Sequence, residues 1–120
     1  MELYKELISK KSTAPKILLF GGHPTRRHSV IQIISKVGDV TVYGALSEAE
    51  GIQMLREKDE IDVVLIGGAY TQEQRVRIKA FIEDHDRTIK ITEPGVEYRY
   101  SNENIQKDIA KKLGLKIETL

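Results

Sequence analysis

Residues 61–68 read Ile61-Asp62-Val63-Val64-Leu65-Ile66-Gly67-Gly68. The run Ile61–Ile66 is nearly all apolar and stops at two glycines, which predicts a strand buried on both faces. Residues 16–22, Lys16-Ile17-Leu18-Leu19-Phe20-Gly21-Gly22, repeat the pattern and predict a second such strand over Lys16–Phe20. Helical stripes separate and flank these runs. Val30, Ile31, Ile33, Ile34 and Val37 form one, stopped by Gly38. Ser47 with Glu50 makes a capping box for another, continued by Ile52 and Leu55 to about Lys58. Thr71 with Gln74 opens a third, whose expected buried side is Val76, Ile78, Phe81 and Ile82. Ser101 or Asn102 caps a last one, with Ile105, Ile109 and Leu113 on one face and Gly114 at its end.

Shorter strands are expected at Val40–Tyr43 and Thr88–Thr92. Val96, Tyr98 and Tyr100 alternate with Glu97 and Arg99, which predicts an edge strand over Val96–Tyr100. Leu3, Leu7 and Ile8 predict an amphipathic helix over about 2–11, broken by Ser12–Pro15. Residues 115–120 read as a tail. Alternating strands and helices dictate parallel pairing through right-handed crossovers. The expected fold is one α/β domain spanning 1–120, a three-layer sandwich with a mainly parallel sheet of four to five strands. Only Glu93-Pro94-Gly95 separates the last two expected strands, so a fourth crossover helix is expected to be missing.

Composition narrows the function. The chain has 120 residues, 40% hydrophobic and 31% charged, with 19 basic and 18 acidic side chains. That is one ordinary globular domain. The charge is too balanced for a nucleic-acid footprint, and two Phe with no Trp give no stacking platform for bases. Without cysteine there is no disulfide, no thiolate metal site and no cysteine nucleophile. No stretch is apolar enough to span a membrane and none reads as a signal peptide. A cytoplasmic protein with no nucleic-acid or membrane partner is expected.

In open parallel sheets, ligands bind beyond the carboxyl ends of the strands. Gly21-Gly22-His23-Pro24-Thr25-Arg26-Arg27 falls at such an end. Glycines admit a close ligand, helix-start amides attract anions, and two arginines can fork onto phosphate or carboxylate. Neither a Walker loop nor a dinucleotide fingerprint is present. The plainer reading is a tight turn with a solvated basic face. Gly67, Gly68 and Tyr70 lie on the neighbouring strand end and would complete a glycine-lined crevice. The candidate anion loop is therefore Gly21, Gly22, His23, Thr25, Arg26, Arg27, Gly67, Gly68 and Tyr70. His23 and His28 lack further ligands for a metal. His23 is the best general acid–base candidate, yet no nucleophile accompanies it. No catalytic residue, metal or cofactor is expected.

The element order and Ile61-Asp62-Val63-Val64-Leu65-Ile66 resemble the receiver domain of bacterial response regulators, a flavodoxin-like fold, over roughly residues 16–113. In that family an aspartate ends the third strand and takes the phosphoryl group, and an acidic pair after the first strand holds magnesium. The matching positions here are Gly67 and Gly21-Gly22. Thr92 matches the family's switch hydroxyl, but Arg99 stands near the place of its lysine without the Lys-Pro pair. The resemblance therefore implies a receiver that has lost its phosphoacceptor and its cation site. The expected function is a non-catalytic regulatory or protein-interaction domain with an unidentified protein partner, a second copy of the chain being one candidate. The alternative is a small-anion or nucleotide-binding protein using the glycine/arginine loop.

Overall fold

Along β2 (Lys16–Phe20) and β4 (Val63–Ile66), successive side chains enter opposite layers, and both layers are apolar. The computed structural model describes residues 3–115 and places these strands side by side, with Leu19 opposite Leu65 and Phe20 opposite Ile66. Ile17, Leu19, Val63 and Leu65 pack against α1 (Pro24–Ser35) and α4 (Asn102–Leu113). Leu18, Phe20, Val64 and Ile66 face α2 (Glu48–Glu57) and α3 (Gln72–His85). Each of these large side chains, fully buried, contributes about 1.5–3 kcal/mol.

With β3 (Thr41–Ala45), β5 (Lys90–Thr92) and the two-residue β1 (Glu6–Leu7), the sheet order is β1-β3-β2-β4-β5. The β3, β2, β4 and β5 strands run parallel and β1 pairs antiparallel with β3. The protein is thus α/β, with a mostly parallel five-stranded sheet and four helices among the described residues. The chain leaves β2 toward β3 on one side and returns across it to β4 on the other. Ligands bind at such a reversal in open sheets, outside the carboxyl ends of β2 and β4. No helix of the described residues is long and apolar enough to cross a membrane.

Several expected elements differ. Over its described residues, the segment expected as an N-terminal helix carries β1 instead. So short a helix has little stability of its own, and the open edge of β3 offers ladder bonds: the Gly44 amide donates to Lys5 O at 2.9 Å. The expected edge strand Val96–Tyr100 is a turn with a single bridge from Pro94 to Tyr98. There the Val96 and Glu97 amides both donate to Glu93 O, and Gly95 takes φ +82°, so the backbone curls before a ladder can form. β5 therefore passes through this turn straight into α4. The stretch Gly21–Arg27, expected as an anion loop or tight turn, is from Pro24 onward the first turn of α1. Val76 is exposed, and Arg75 takes the buried place expected for it. Strands expected at 61–66 and 88–92 begin two residues later, and the one expected at 40–43 covers Thr41–Ala45. Of the expected tail, residues 116–120 lie outside the described residues.

Candidate functional site

Two loops leave the central strands side by side. Gly21-Gly22-His23 follows β2, and Gly67-Gly68-Ala69 follows β4. They come so close that a Cβ on Gly22 would sit 2.6 Å from the Ala69 Cβ, which only glycine allows. Above them lies a crevice of about 190 Å³. Its floor is Leu19, Val30, Leu65 and Ile105, and Pro94 and Tyr100 form the far wall. Arg26 closes the near side, its guanidinium 4.8 Å from the centre of the Tyr100 ring. That is cation–π distance, so the ring holds an exposed cation at the mouth.

Two buried side chains set the peptide planes of these loops. The Tyr70 hydroxyl donates to Gly21 O at 2.7 Å. Arg75 donates to Gly67 O at 2.7 Å through Nη2 and to Tyr70 O at 3.2 Å through Nε. In a trans peptide the carbonyl and the following amide point in opposite directions. Holding the Gly21 and Gly67 carbonyls therefore turns the Gly22 and Gly68 amides the other way, toward the crevice their residues line. Neither amide bonds to another described residue. Two convergent N–H groups beside a guanidinium form a concavity suited to an oxyanion.

Arg75 is itself held. Its Nη1 lies 3.2 Å from Glu93 Oε1, and Lys79 Nζ lies 3.2 Å from Glu93 Oε2. Both members of the inner pair are buried, so the network anchors the loop by a fully compensated charge. Burial, with the Glu50 and Glu48 carboxylates adding to it, pushes the Tyr70 phenol up to about 12. Tyr70 therefore stays a neutral hydrogen-bond donor throughout the ordinary pH range.

Of the candidate residues, Gly21, Gly22, His23, Arg26, Arg27, Gly67 and Gly68 line the crevice. Tyr70 lies beneath it, packed edge-on against Phe20, and acts on the loop from below. Thr25 does not line it; its amide donates to His23 Nδ1 at 3.2 Å, so the His23 side chain caps α1. His28 is buried, stacked on Tyr4, and accepts from the Tyr4 amide. No three His, Asp or Glu side chains of the described residues converge to hold a metal ion.

The sequence reading missed Arg75, Glu93 and the crevice wall at Pro94 and Tyr100. One signal was present: Arg75, Ile78 and Ile82 share a helical stripe, so an arginine stands in register with the core face. No family model, no curated protein and no solved structure matches this chain.

Proposed function

We propose that this domain binds a small molecule bearing an oxyanion, a phosphate or carboxylate, at the carboxyl ends of β2 and β4. The observation that carries this reading is the pair of glycine peptides, Gly21–Gly22 and Gly67–Gly68, whose carbonyls are held by Tyr70 and Arg75 at the edge of one crevice. The anion takes the amides and Arg26, and the apolar floor takes the body of the ligand. A Cβ on Gly68 would meet nothing within 4 Å, so Gly68→Leu plugs the crevice without disturbing the core. A thermal-shift screen of phosphate esters, nucleotides and aromatic carboxylates tests the reading, because a ligand bound only by the native state raises its stability. A rise in wild type that is lost in both Arg26→Ala and Gly68→Leu is expected. An unchanged rise in both variants contradicts it.

A second reading makes the domain a receiver-like, flavodoxin-like regulatory module that acts through a protein partner. The parallel order β3-β2-β4-β5 supports it, as do glycines at 21, 22 and 67 where a receiver carries carboxylates. Aspartyl phosphorylation needs a carboxylate nucleophile and a hard cation on oxygen ligands. The expectation is no phosphate uptake from acetyl phosphate with magnesium. Exposed Val96 and Tyr100 beside the crevice give this reading a surface. Self-association that rises with concentration in sedimentation would identify a second copy as the partner, and a monomer at all concentrations would remove that candidate.

A further inference from the structure

Arg27 carries a charge that the described part of the molecule leaves unanswered. It is 6% exposed, and its Nε is buried with no hydrogen-bond partner. No carboxylate of a described residue comes within ion-pair distance of it, whereas the other buried arginine, Arg75, is paired. Of its guanidinium nitrogens Nε is the one buried without a partner, and leaving such a donor unmet is costly. A Cβ on Gly21 would lie 3.7 Å from Arg27 Cβ, and one on Gly44 would lie 2.6 Å from its Cδ. The stem therefore runs from the end of β2 across to β3. Gly44, inside a strand where glycine weakens the ladder, clears the path for it.

Beyond that path lies a second hollow, which shares Arg27 with the crevice. It is bounded by Tyr4, Lys5 and Glu6 of the N-terminal segment, Pro24 at the start of α1, Leu46 after β3, and Arg27. Among the described residues that line it, Lys5 and Arg27 stand with one carboxylate, Glu6. An adjoining hollow shares Lys5, Glu6, Arg27 and Leu46 and adds Glu50 and Glu57, and Glu50 is engaged by the Leu46 amide. The first hollow is therefore the less acidic of the two.

We propose that this hollow is a second anion site, in which Arg27 receives a carboxylate or phosphate oxygen of a small ligand with help from Lys5. The site meets the crevice at Arg27, which lines both, but it sits at the end of β3, not between β2 and β4, and takes neither glycine amide. Occupancy supplies the missing counter-charge, so a bound anion stabilises the fold through this site.

The test uses the full-length ¹⁵N-labelled chain at constant ionic strength, titrated with inorganic phosphate and, separately, with acetate. The Arg27 Nε–H resonance is expected to move saturably with one or both anions, and which one does so separates phosphate from carboxylate. Arg26→Ala is expected to leave that movement intact. In buffer free of both anions, Arg27→Met is expected to melt at or above wild type, because it removes an uncompensated charge, and to lose the anion-induced rise seen for this site. An Arg27 Nε–H that stays still to high concentrations of both anions overturns the proposal, whatever the Gly22 and Gly68 amides do. So does an Arg27→Met variant that melts below wild type with the anion response unchanged. Loss of the Arg27 response in Arg26→Ala would merge the two sites and overturn the proposal of a second one.

Discussion

Arg27 and Arg75 occupy the same place in two successive βα units. Each is the fourth residue of the helix that leaves a central strand, α1 after β2 and α3 after β4. Each is buried, at 6% and 4% exposure. Arg75 ends on Glu93 and on three carbonyls, Ile66, Gly67 and Tyr70. Arg27 ends on nothing described. One buried guanidinium is therefore a strut that fixes a loop, and the other is a socket. Burial alone does not separate the two roles; the partners do.

The largest expected effect comes from breaking the strut. Arg75→Ala removes the carbonyl bonds and leaves Glu93 buried with only Lys79, a change costing about 3–5 kcal/mol. Denaturant unfolding should show it as a large fall in midpoint. Arg27→Ala in anion-free buffer should fall far less. Equal losses at the two positions would end the distinction.

Crowding the socket comes next. Gly44→Ala places a methyl against Arg27 Cδ and 3.0 Å from Lys5 O. Forced repacking of this kind costs about 1–3 kcal/mol, and thermal melting measures it. Pairing Gly44→Ala with Arg27→Ala should recover part of that loss, because the obstructing stem is gone.

Tyr70→Phe removes only the bond to Gly21 O, worth about 1 kcal/mol. Its sharper consequence is a Gly21–Gly22 plane no longer pinned, so affinity at the crevice should weaken more than stability does. Binding isotherms set beside melting curves separate the two.

The last effect lies in the alkaline range. Burial pushes both Tyr70 and Tyr98 up to about 12 from 10. Between those values the unfolded phenol ionises while the folded one keeps its proton. The unfolded state then binds fewer protons, and stability falls as pH rises through this window. Below pH 10 both states are protonated and the groups contribute no slope. The decline should be shallower in Tyr98→Phe than in wild type when unfolding is followed from pH 9 to pH 12.

Much of the fold was legible because the central strands are continuous apolar runs closed by glycines. Burial on both faces leaves such runs few other structures. Helix starts were legible where Ser47, Thr71 and Ser101 cap. The N-terminal segment was not, because its structure is set by a partner far along the chain, the free edge of β3; residues 96–100 were not, because the Val96 and Glu97 amides turn back to Glu93 O and override the alternation of Val96, Tyr98 and Tyr100. The glycines and Arg26 of the crevice could be named from their place at strand ends. The roles of Tyr70 and Arg75 could not, since both act through carbonyls whose direction no sequence pattern states. Arg27 was named for its charge, yet its burial was hidden. The clue was its register with Val30, Ile31 and Ile34 on the core stripe of α1.

The most direct test of the account follows the backbone amides of Gly22 and Gly68 by NMR while phenyl phosphate is added to the ¹⁵N-labelled protein. The account predicts that both resonances move together and saturate in wild type, with the movement much weakened in Arg26→Ala and absent at the amides of residues 22 and 68 in Gly68→Leu. Two amides that stay in place at high ligand concentration would contradict an anion-binding crevice between β2 and β4.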